Sequence, residues 1–427
     1  MFKENKHNKT INIRNLRKKS SIELIKIAKY CFLKNINYLS NYNLIFFILK
    51  YNYHNNIIIV DEGILEIMYG GYGFLRSKEY NYSPSINDIY VSPNQIKKFG
   101  LKTGNLIKGI IKPPKKEEYY FILVNIYSVN ELCINNFFNN IFFDHLTPIY
   151  PKEQIFLELN KIKNNLIGRI IDLISPLGKG QRALIVAPPK SGKTVLMQNI
   201  AYSINKNYPS IHLILLSIGE RPEEVTDMER SIKGDVVSST FDEPSYRHIQ
   251  LTELIIEKSK RMIEHKKNVV ILLDSITRLA RAYNDITPSS GRTLSGGIDF
   301  QALQRPKKIF GSARNIENGG SLTIIATALI NTGSRMDEVI FEEFKGTGNS
   351  EIVLNKKIAD RRIFPAIDIK KSGTRKEELL FEKKNISKFW LIRKILNPMK
   401  SIEALEFLMN KLKLTTSNNN FFFRINK

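Results

Sequence analysis

Cysteine is almost missing from this chain: Cys31 and Cys133 are two of 427 residues, with no spacing that suggests a pair or a metal-binding knuckle. That argues against a disulfide-stapled secreted scaffold and a thiolate zinc site, and it suits a reducing compartment. Long apolar runs are missing too. Stretches such as 44–49 stop far short of the ~20 residues a membrane-spanning helix needs, and Met1-Phe2-Lys3-Glu4-Asn5-Lys6 leads into no signal-type apolar segment. The expectation is a soluble, cytoplasmic protein with no membrane partner. Acidic residues are in deficit, 41 against 65 Lys and Arg, for a formal net charge of +24. Such an excess suits nucleic acid, because cations displace the counterions of its phosphates. The distribution leaves a second reading open. Residues 1–50 carry 11 basic and 2 acidic residues, residues 51–150 carry 9 of each, and the remaining excess is spread thinly along the carboxyl part. The chain is also crowded with Asn, Ile, Lys and Tyr, with Asn-rich patches at 135–140 and 418–420, so compositional drift alone would raise the charge.

What is present is length and apolar content, 42% hydrophobic, for two or three domains with real cores. Residues 1–19 are polar and basic with little period and are expected to be a disordered tail. Apolar positions recur at helical spacing between Leu24 and Leu49, which predicts a helical subdomain over 20–55. Five short alternating segments, 64–68, 72–76, 88–91, 106–111 and 119–124, are broken by Gly and Pro and predict a small β-barrel over 56–133. Residues 134–165 read as a connector. From 166 to 427, strands alternate with helical patterns, as in a doubly wound α/β domain.

Three motifs in the α/β part carry chemistry. Ala183-Leu184-Ile185-Val186-Ala187-Pro188-Pro189-Lys190-Ser191-Gly192-Lys193-Thr194 is a buried-type strand running into a phosphate loop. In such a loop backbone N–H groups wrap the phosphates, the Lys meets the β/γ charge and the Thr hydroxyl faces Mg²⁺. Ala187 stands where the usual pattern has its first Gly. An apolar run at 269–273 ends in Asp274, a second at 211–217 is followed by Glu220, and acids at strand ends of this kind serve the metal and the attacking water. Taken singly, Asp274 also fits a helix N-cap and Glu220 an exposed turn acid. In the barrel, Gly71-Tyr72-Gly73-Phe74-Leu75-Arg76 puts two aromatics on one strand face, where they either stack bases or fill the barrel core.

With these residues in view, the chain resembles the bacterial transcription termination factor Rho family over roughly residues 20–425. The runs Gly219-Glu220-Arg221-Pro222-Glu223-Glu224, Ser239-Thr240-Phe241-Asp242-Glu243-Pro244 and Ser372-Gly373-Thr374-Arg375 are similar to that family's, as is the Ala-Pro-Pro phosphate loop. The resemblance implies a RecA-like P-loop ATPase domain behind an OB-fold or cold-shock-like barrel. It also implies a homohexameric ring that uses ATP and Mg²⁺ to move 5′ to 3′ on single-stranded RNA and dislodges RNA polymerase. On matching positions, it implies that Lys190, Ser191, Gly192, Lys193, Thr194 and Val195 hold phosphate, with Thr194 and Asp274 serving Mg²⁺. Glu220 would activate water, Arg221 would lie beside the nucleotide, and Phe364 would stack adenine. Gly178-Lys179-Gly180-Gln181-Arg182-Ala183 matches a nucleotide-binding segment, and Arg362 and Arg375 match arginines that reach a neighbouring subunit's ATP. A primary RNA site would use Gly71, Tyr72, Gly73, Phe74, Leu75, Arg76, Asp88, Ile89, Tyr90, Glu118, Tyr119 and Tyr120. A secondary one would use the loops Thr293-Leu294-Ser295-Gly296-Gly297 and Thr332-Gly333-Ser334-Arg335. Tyr72, Tyr119 and Arg335 depart from the family's usual Phe, Arg and Lys. Another ring ATPase of the rotary or protein-export type, and a non-catalytic RNA-binding protein, remain as alternatives.

Overall fold

The structure is a computed structural model that describes residues 10–33, 38–115, 118–134, 142–159, 165–288, 291, 293–383 and 385–425. Residues 1–9 of the expected tail, the Asn-rich patch at 135–140 and part of the expected connector, 160–164, lie outside the described residues. The chain forms two compact units, residues 1–142 with 254–261, and residues 143–253 with 262–427.

The first unit begins where disorder was expected. Strand β1 (Thr10–Asn12) runs parallel to β2 (Ile58–Ile67), and the helix Ile13–Arg17 follows, capped by Asn12, whose side chain accepts from the Arg14 N–H at 2.9 Å. Ile13 and Leu16 are buried in the core, and Arg17 meets Asp61 at 2.9 Å with both side chains enclosed. The tail reading of 1–19 is therefore corrected for residues 10–19. A strand of three residues and a helix of five are too short to register as a period, so their burial is dictated by the barrel they lean on. Helices Ser21–Tyr30 and Asn41–His54 start at Ser20 and Ser40, whose hydroxyls accept from the N3 backbone N–H. Leu24, Ala28, Leu44, Ile45 and Ile48 seal one face of that core.

The barrel consists of β2, β3 (Gly73–Arg76), β4 (Ile89–Val91), β5 (Leu106–Lys112) and β6 (Phe121–Val129). The order is β2-β3-β4-β6-β5, and β5 pairs back onto β2, so the sheet closes on itself. Alternation along β3 and β4 settles which rings fill the core. Leu75, Ile89 and Val91 point inward and are buried, while Phe74 opposite Tyr90, with Tyr72 just before the strand, takes the outer face.

In the second unit six strands are parallel: β7 (Arg182–Ala187), β8 (His212–Glu220), β9 (Asp235–Thr240), β10 (Asn268–Asp274), β11 (Ser321–Leu329) and β12 (Ser350–Val353). Their order is β9-β8-β10-β11-β7-β12. Strands such as Leu184-Ile185-Val186 and Val270-Ile271-Leu272 are apolar on both faces because helices cover both, which is what a continuous hydrophobic run records. All six carboxyl ends lie on one edge, where ligands of such sheets bind.

Residues 143–159 were expected to be part of a connector and belong to this unit instead. Pro148–Ile149 pairs with Arg314–Ile316, and Ile155 and Leu157 are fully buried. Their backbone is tied to a buried side chain: Asp172 accepts from the Leu157 N–H at 3.0 Å and from the Glu158 N–H at 2.8 Å. Burial pushes the Asp172 carboxyl up to about 8 from 3.8, in spite of those two donors. The folded state thus holds this proton where the unfolded chain has lost it. The stabilisation is complete below the unfolded value and is lost as pH rises through about 8. Asp172→Asn removes that titration. From pH 5 to pH 7 the variant is expected to gain on the parent by about 1.4 kcal/mol per pH unit, read as unfolding midpoints of both chains. A difference that stays constant over that range would show that Asp172 is ionised in the fold.

Candidate nucleotide and nucleic-acid sites

The loop after β7 is shaped by two residues with left-handed backbone, Lys190 at φ 61° and Gly192 at φ 86°. The Ser191 hydroxyl donates to the Pro188 carbonyl at 2.7 Å and pins the turn. Ala187 is the last residue of β7, in extended backbone that any residue adopts, so the motif's first glycine is not needed here. The helix Lys193–Asn207 starts at once, with Gly192 as its N-cap, and its free N–H groups point toward the loop. Thr194 is half-buried in its first turn and Val195 is exposed.

Three strand ends meet at Lys193. Its ammonium donates to Glu220 Oε1 at 2.8 Å and to Asp274 Oδ1 at 2.7 Å. Glu220 closes β8 and Asp274 closes β10, and both are buried. Burial lowers the Lys193 pKa, but Asp274 and then Glu220 outweigh it, and the net shift is upward. Glu220 is raised as well, although a paired carboxylate usually moves down. Burial and the charge of Asp274 push it up more strongly than Lys193 and Arg278 pull it back, because one buried ammonium serves two acids.

Two partners in this cluster escaped sequence reasoning. Arg278, four residues after Asp274 on the helix Ile276–Ile286, reaches Glu220 Oε2 at 3.3 Å. Thr327 on β11 donates to Asp274 Oδ1 at 2.6 Å. A hydroxyl inside the otherwise apolar run 322–329 was the available signal for the second. Arg278 carried no local signal, because its partner Glu220 closes a different strand.

Other expected nucleotide residues divide between the two edges of the sheet. Phe364 is half-exposed beside the phosphate loop: a Cβ added at Gly192 would lie 3.3 Å from its ring. Arg221 is exposed at the start of the helix Pro222–Ser231, next to Glu220. Arg362 follows the helix Lys356–Asp360 beyond the carboxyl end of β12, two residues before Phe364. Gly178, Lys179, Gly180, Gln181, Arg182 and Ala183, by contrast, enter β7 at its amino end. Gly180 sits at φ 85° with its N–H on Thr323 Oγ1 at 2.9 Å, and Gln181 is buried. Arg375 shares that amino edge through its N–H on the Asn349 carbonyl at 2.8 Å. Within one chain, then, this segment and Arg375 are not brought to the phosphate loop. For Gly178 to Gln181 the whole of β7 intervenes, roughly 17 Å of extended chain, and Arg182 and Ala183 are its first two residues.

On the barrel, Tyr72 stacks near-parallel to Tyr90 at 5.8 Å, and Phe74 meets Tyr90 at 6.1 Å and Tyr120 at 4.8 Å, edge to face. Tyr119 is 85% exposed, Glu118 is exposed, and Gly71, at φ 79°, has no neighbour within 4 Å of where a Cβ would be. Several expected RNA contacts point elsewhere. Leu75 and Ile89 are core residues, and Gly73 packs against Leu65. Arg76 is buried between Glu66 and Asp88, with its guanidinium over the Phe74 ring at 5.1 Å, so it props the platform from behind. The secondary loops do come together. A Cβ on Gly296 would fall 2.8 Å from the Met336 N–H nitrogen and 3.0 Å from the Arg335 carbonyl carbon. Leu294, Ser295 and Gly297 form the tip of a short hairpin, and Gly333 and Arg335 are exposed while Ser334 immediately precedes the helix Arg335–Lys345. Thr332 donates to buried Asp337, which Arg281 also holds at 2.7 Å. Arg281 lies on the helix that starts just after Asp274, so this loop and the acid cluster share a rigid element.

A closed barrel with an aromatic outer face, joined in one chain to a parallel sheet whose edge gathers a phosphate-loop lysine and two acids, defines an RNA-binding P-loop ATPase of RecA-like fold. Residues 61–134 match the family model for the Rho termination factor RNA-binding domain, and residues 168–374 match the nucleotide-binding domain of the ATP synthase alpha/beta family. Curated relatives agree over nearly the whole length. Transcription termination factor Rho 1 of Ehrlichia chaffeensis is 56% identical across 97% of this chain and 100% of its own. The Rho proteins of Cereibacter sphaeroides and Pseudomonas aeruginosa are each 54% identical, across 98% and 96% of this chain and 100% and 99% of theirs. The chain belongs to the transcription termination factor Rho family. Among solved structures, a type III secretion ATPase matches with a TM-score of 0.55 at 23% identity, covering 65% of this chain and 86% of that one. That likeness is one of fold, and the export-ATPase alternative has no further support.

Proposed function

We propose that the chain is an ATP-driven translocase that binds nascent single-stranded RNA on its barrel and pulls it 5′ to 3′ through a homohexameric ring. It thereby ends transcription by releasing the transcript from RNA polymerase in the cytoplasm. One observation carries the reading: the Lys193 ammonium touches both Glu220 and Asp274 at the carboxyl edge of the sheet. In this reading Lys193 leaves the two acids for the terminal phosphates, and the released Glu220 takes a proton from the attacking water, oriented by Arg278. Lys190, Ser191 and the N–H groups around Gly192 cradle the remaining phosphates, and Phe364 and Arg221 flank the base and ribose.

The donors present fit Mg²⁺. The Thr194 hydroxyl and the Asp274 carboxylate are hard oxygens, and one or two protein ligands suffice where phosphates supply the rest. Among the described residues no group of three or more His, Cys, Asp or Glu could hold a metal alone, which favours an ion that arrives with its nucleotide. Bound there, it would neutralise charge between the β- and γ-phosphates. Among the described residues no helix is long and apolar enough to cross a membrane.

The test is ATP turnover of the full chain with and without a pyrimidine-rich RNA, beside a native mass measurement. Strong stimulation by RNA and a mass of six copies are expected. Turnover indifferent to RNA would end the translocase reading.

A further inference from the structure

Glu220 leaves β8 through a bulge. Along the parallel pair of β8 and β9, Ser239 stands opposite Ile218 and Thr240 opposite Glu220, so Gly219, at φ 67°, is an extra residue. An insertion of this kind bends the strand and re-aims a side chain, here that of Glu220. The end of β9 holds the turn from one side, because the Phe241 N–H donates to the Glu220 carbonyl at 3.2 Å. Arg278 holds it from the other. It reaches Glu220 Oε2 at 3.3 Å, and its Cδ would lie 3.0 Å from a Cβ on Gly219. β9 is the edge strand of the sheet, so the side chains at its end matter to what it can hold. Ser239 and His248 are both buried there, with Ser239 Oγ 2.7 Å from His248 Nδ1 on the helix Ser245–Glu264. The Ser239 hydroxyl donates to the Glu243 carboxylate. Its single proton lies in that bond, so toward His248 it accepts, and Nδ1 carries the N–H while Nε2 keeps the lone pair. Glu243 is tied back in turn, with its N–H on the Thr240 carbonyl at 3.0 Å and Arg247 3.6 Å from its carboxylate. Burial, then the charges of Arg247 and Arg278, hold the His248 pKa below the ordinary imidazole value against the pull of Glu243 and Asp285. The ring therefore stays neutral and puts no second cation beside Arg278.

We infer that His248 is a positioning residue for the Glu220 carboxylate: its Nδ1–H on Ser239 fixes the end of β9, and with it the bulge that aims Glu220 at the attacking water. The inference rests on the ATPase reading and deepens it. Its effect on turnover passes through Glu220. Without the donor on Nδ1, Ser239 loses one of its two partners and the end of β9 is free to shift. The Phe241 N–H then moves on the Glu220 carbonyl, and the carboxylate swings on its bulge away from Arg278. A base misplaced by as little as 1 Å slows the chemistry steeply while nucleotide binding is kept.

The experiment compares the full-length parent with His248→Leu and His248→Asn for RNA-stimulated kcat and KM, kcat against pH, and unfolding midpoint, with turnover read well below every midpoint. Leucine fills space without a donor, whereas the asparagine amide can place an N–H where Nδ1 stands. His248→Leu is expected to lower kcat by about 10- to 100-fold with KM kept, and His248→Asn to recover most of it. Because Arg278 pulls the Glu220 pKa down, its release should also move the acid limb of His248→Leu to higher pH, and His248→Asn should move it back. A double-mutant cycle tests the route. In a Glu220→Gln background His248→Leu should cost less than about 2-fold further, since the base it aims is already gone. Losses that multiply in full would show a general structural effect and overturn the inference. So would a lowered midpoint with kcat and the acid limb unmoved, or His248→Asn as slow as His248→Leu. Should His248→Leu fail to fold, Ser239→Ala removes the acceptor from the other side without added volume and carries the same expectations and the same cycle. If the parent shows no RNA-stimulated turnover, the ATPase reading itself fails. If the parent turns over, Glu220→Gln is slow and His248→Leu matches the parent, only the role of His248 fails.

Discussion

Glu220→Gln should reduce RNA-stimulated ATP turnover by about 10²- to 10⁴-fold, the usual contribution of a positioned general base, while nucleotide binding survives. The substitution is nearly isosteric. A glutamine carbonyl at Oε1 still accepts from the Lys193 ammonium, and Asp274 keeps its own contacts to Lys193 and Thr327. What disappears is the capacity to take a proton. The electrostatics add a second signature. Burial and then the charge of Asp274 raise the Glu220 pKa above that of an ordinary glutamate. Because the base must be deprotonated, turnover in the parent falls as pH drops through this raised value, so its acid limb lies at higher pH than a solvated glutamate would give. Residual turnover of the variant should lack that limb. The measurements are kcat against pH for both chains and the affinity of a fluorescent ATP analogue. A variant as fast as the parent would remove Glu220 from the chemistry.

The parts legible in the sequence are those whose cause is local. Buried parallel strands announce themselves as apolar runs, and the two acids and the phosphate-loop lysine stand at strand ends, so the edge they share follows once the strands are parallel. Ala187 shows where a pattern misleads, since its extended backbone makes the expected glycine unnecessary. What stayed hidden depends on distant partners. Residues 10–17 fold because β2 of the barrel offers β1 an edge and the core a floor, and the backbone at Leu157 and Glu158 is held by Asp172, whose side chain comes from a later helix. Thr327 and Arg278 join the acid cluster from separate elements. A contiguous run such as 178–194 also looks like one site, yet a strand between its halves sends them to opposite edges.

The same alternation that hides Leu75 and Ile89 in the barrel leaves a ring surface, and its removal is the second large effect expected. Tyr72→Ala with Phe74→Ala should weaken single-stranded RNA binding by about 1–3 kcal/mol for each ring, the usual worth of a base–aromatic stack. Tyr90 alone would then remain of the stacked pair at 5.8 Å. Phe74 also touches Tyr120 and covers Arg76, so the unfolding midpoint must be followed in parallel. Tyr72, which precedes β3 and lies outside the buried core, serves as the single-ring control. Salt separates stacking from charge. Arg76 is engaged by Glu66 and Asp88, and residues 51–150 carry equal numbers of acids and bases, so few phosphate contacts are available on this face. Affinity of the isolated site for a short oligonucleotide should therefore fall only gently with salt, because the slope counts neutralised phosphates. A steep slope that the double variant leaves intact, with affinity unchanged, would move RNA recognition from these rings to lysines elsewhere on the chain.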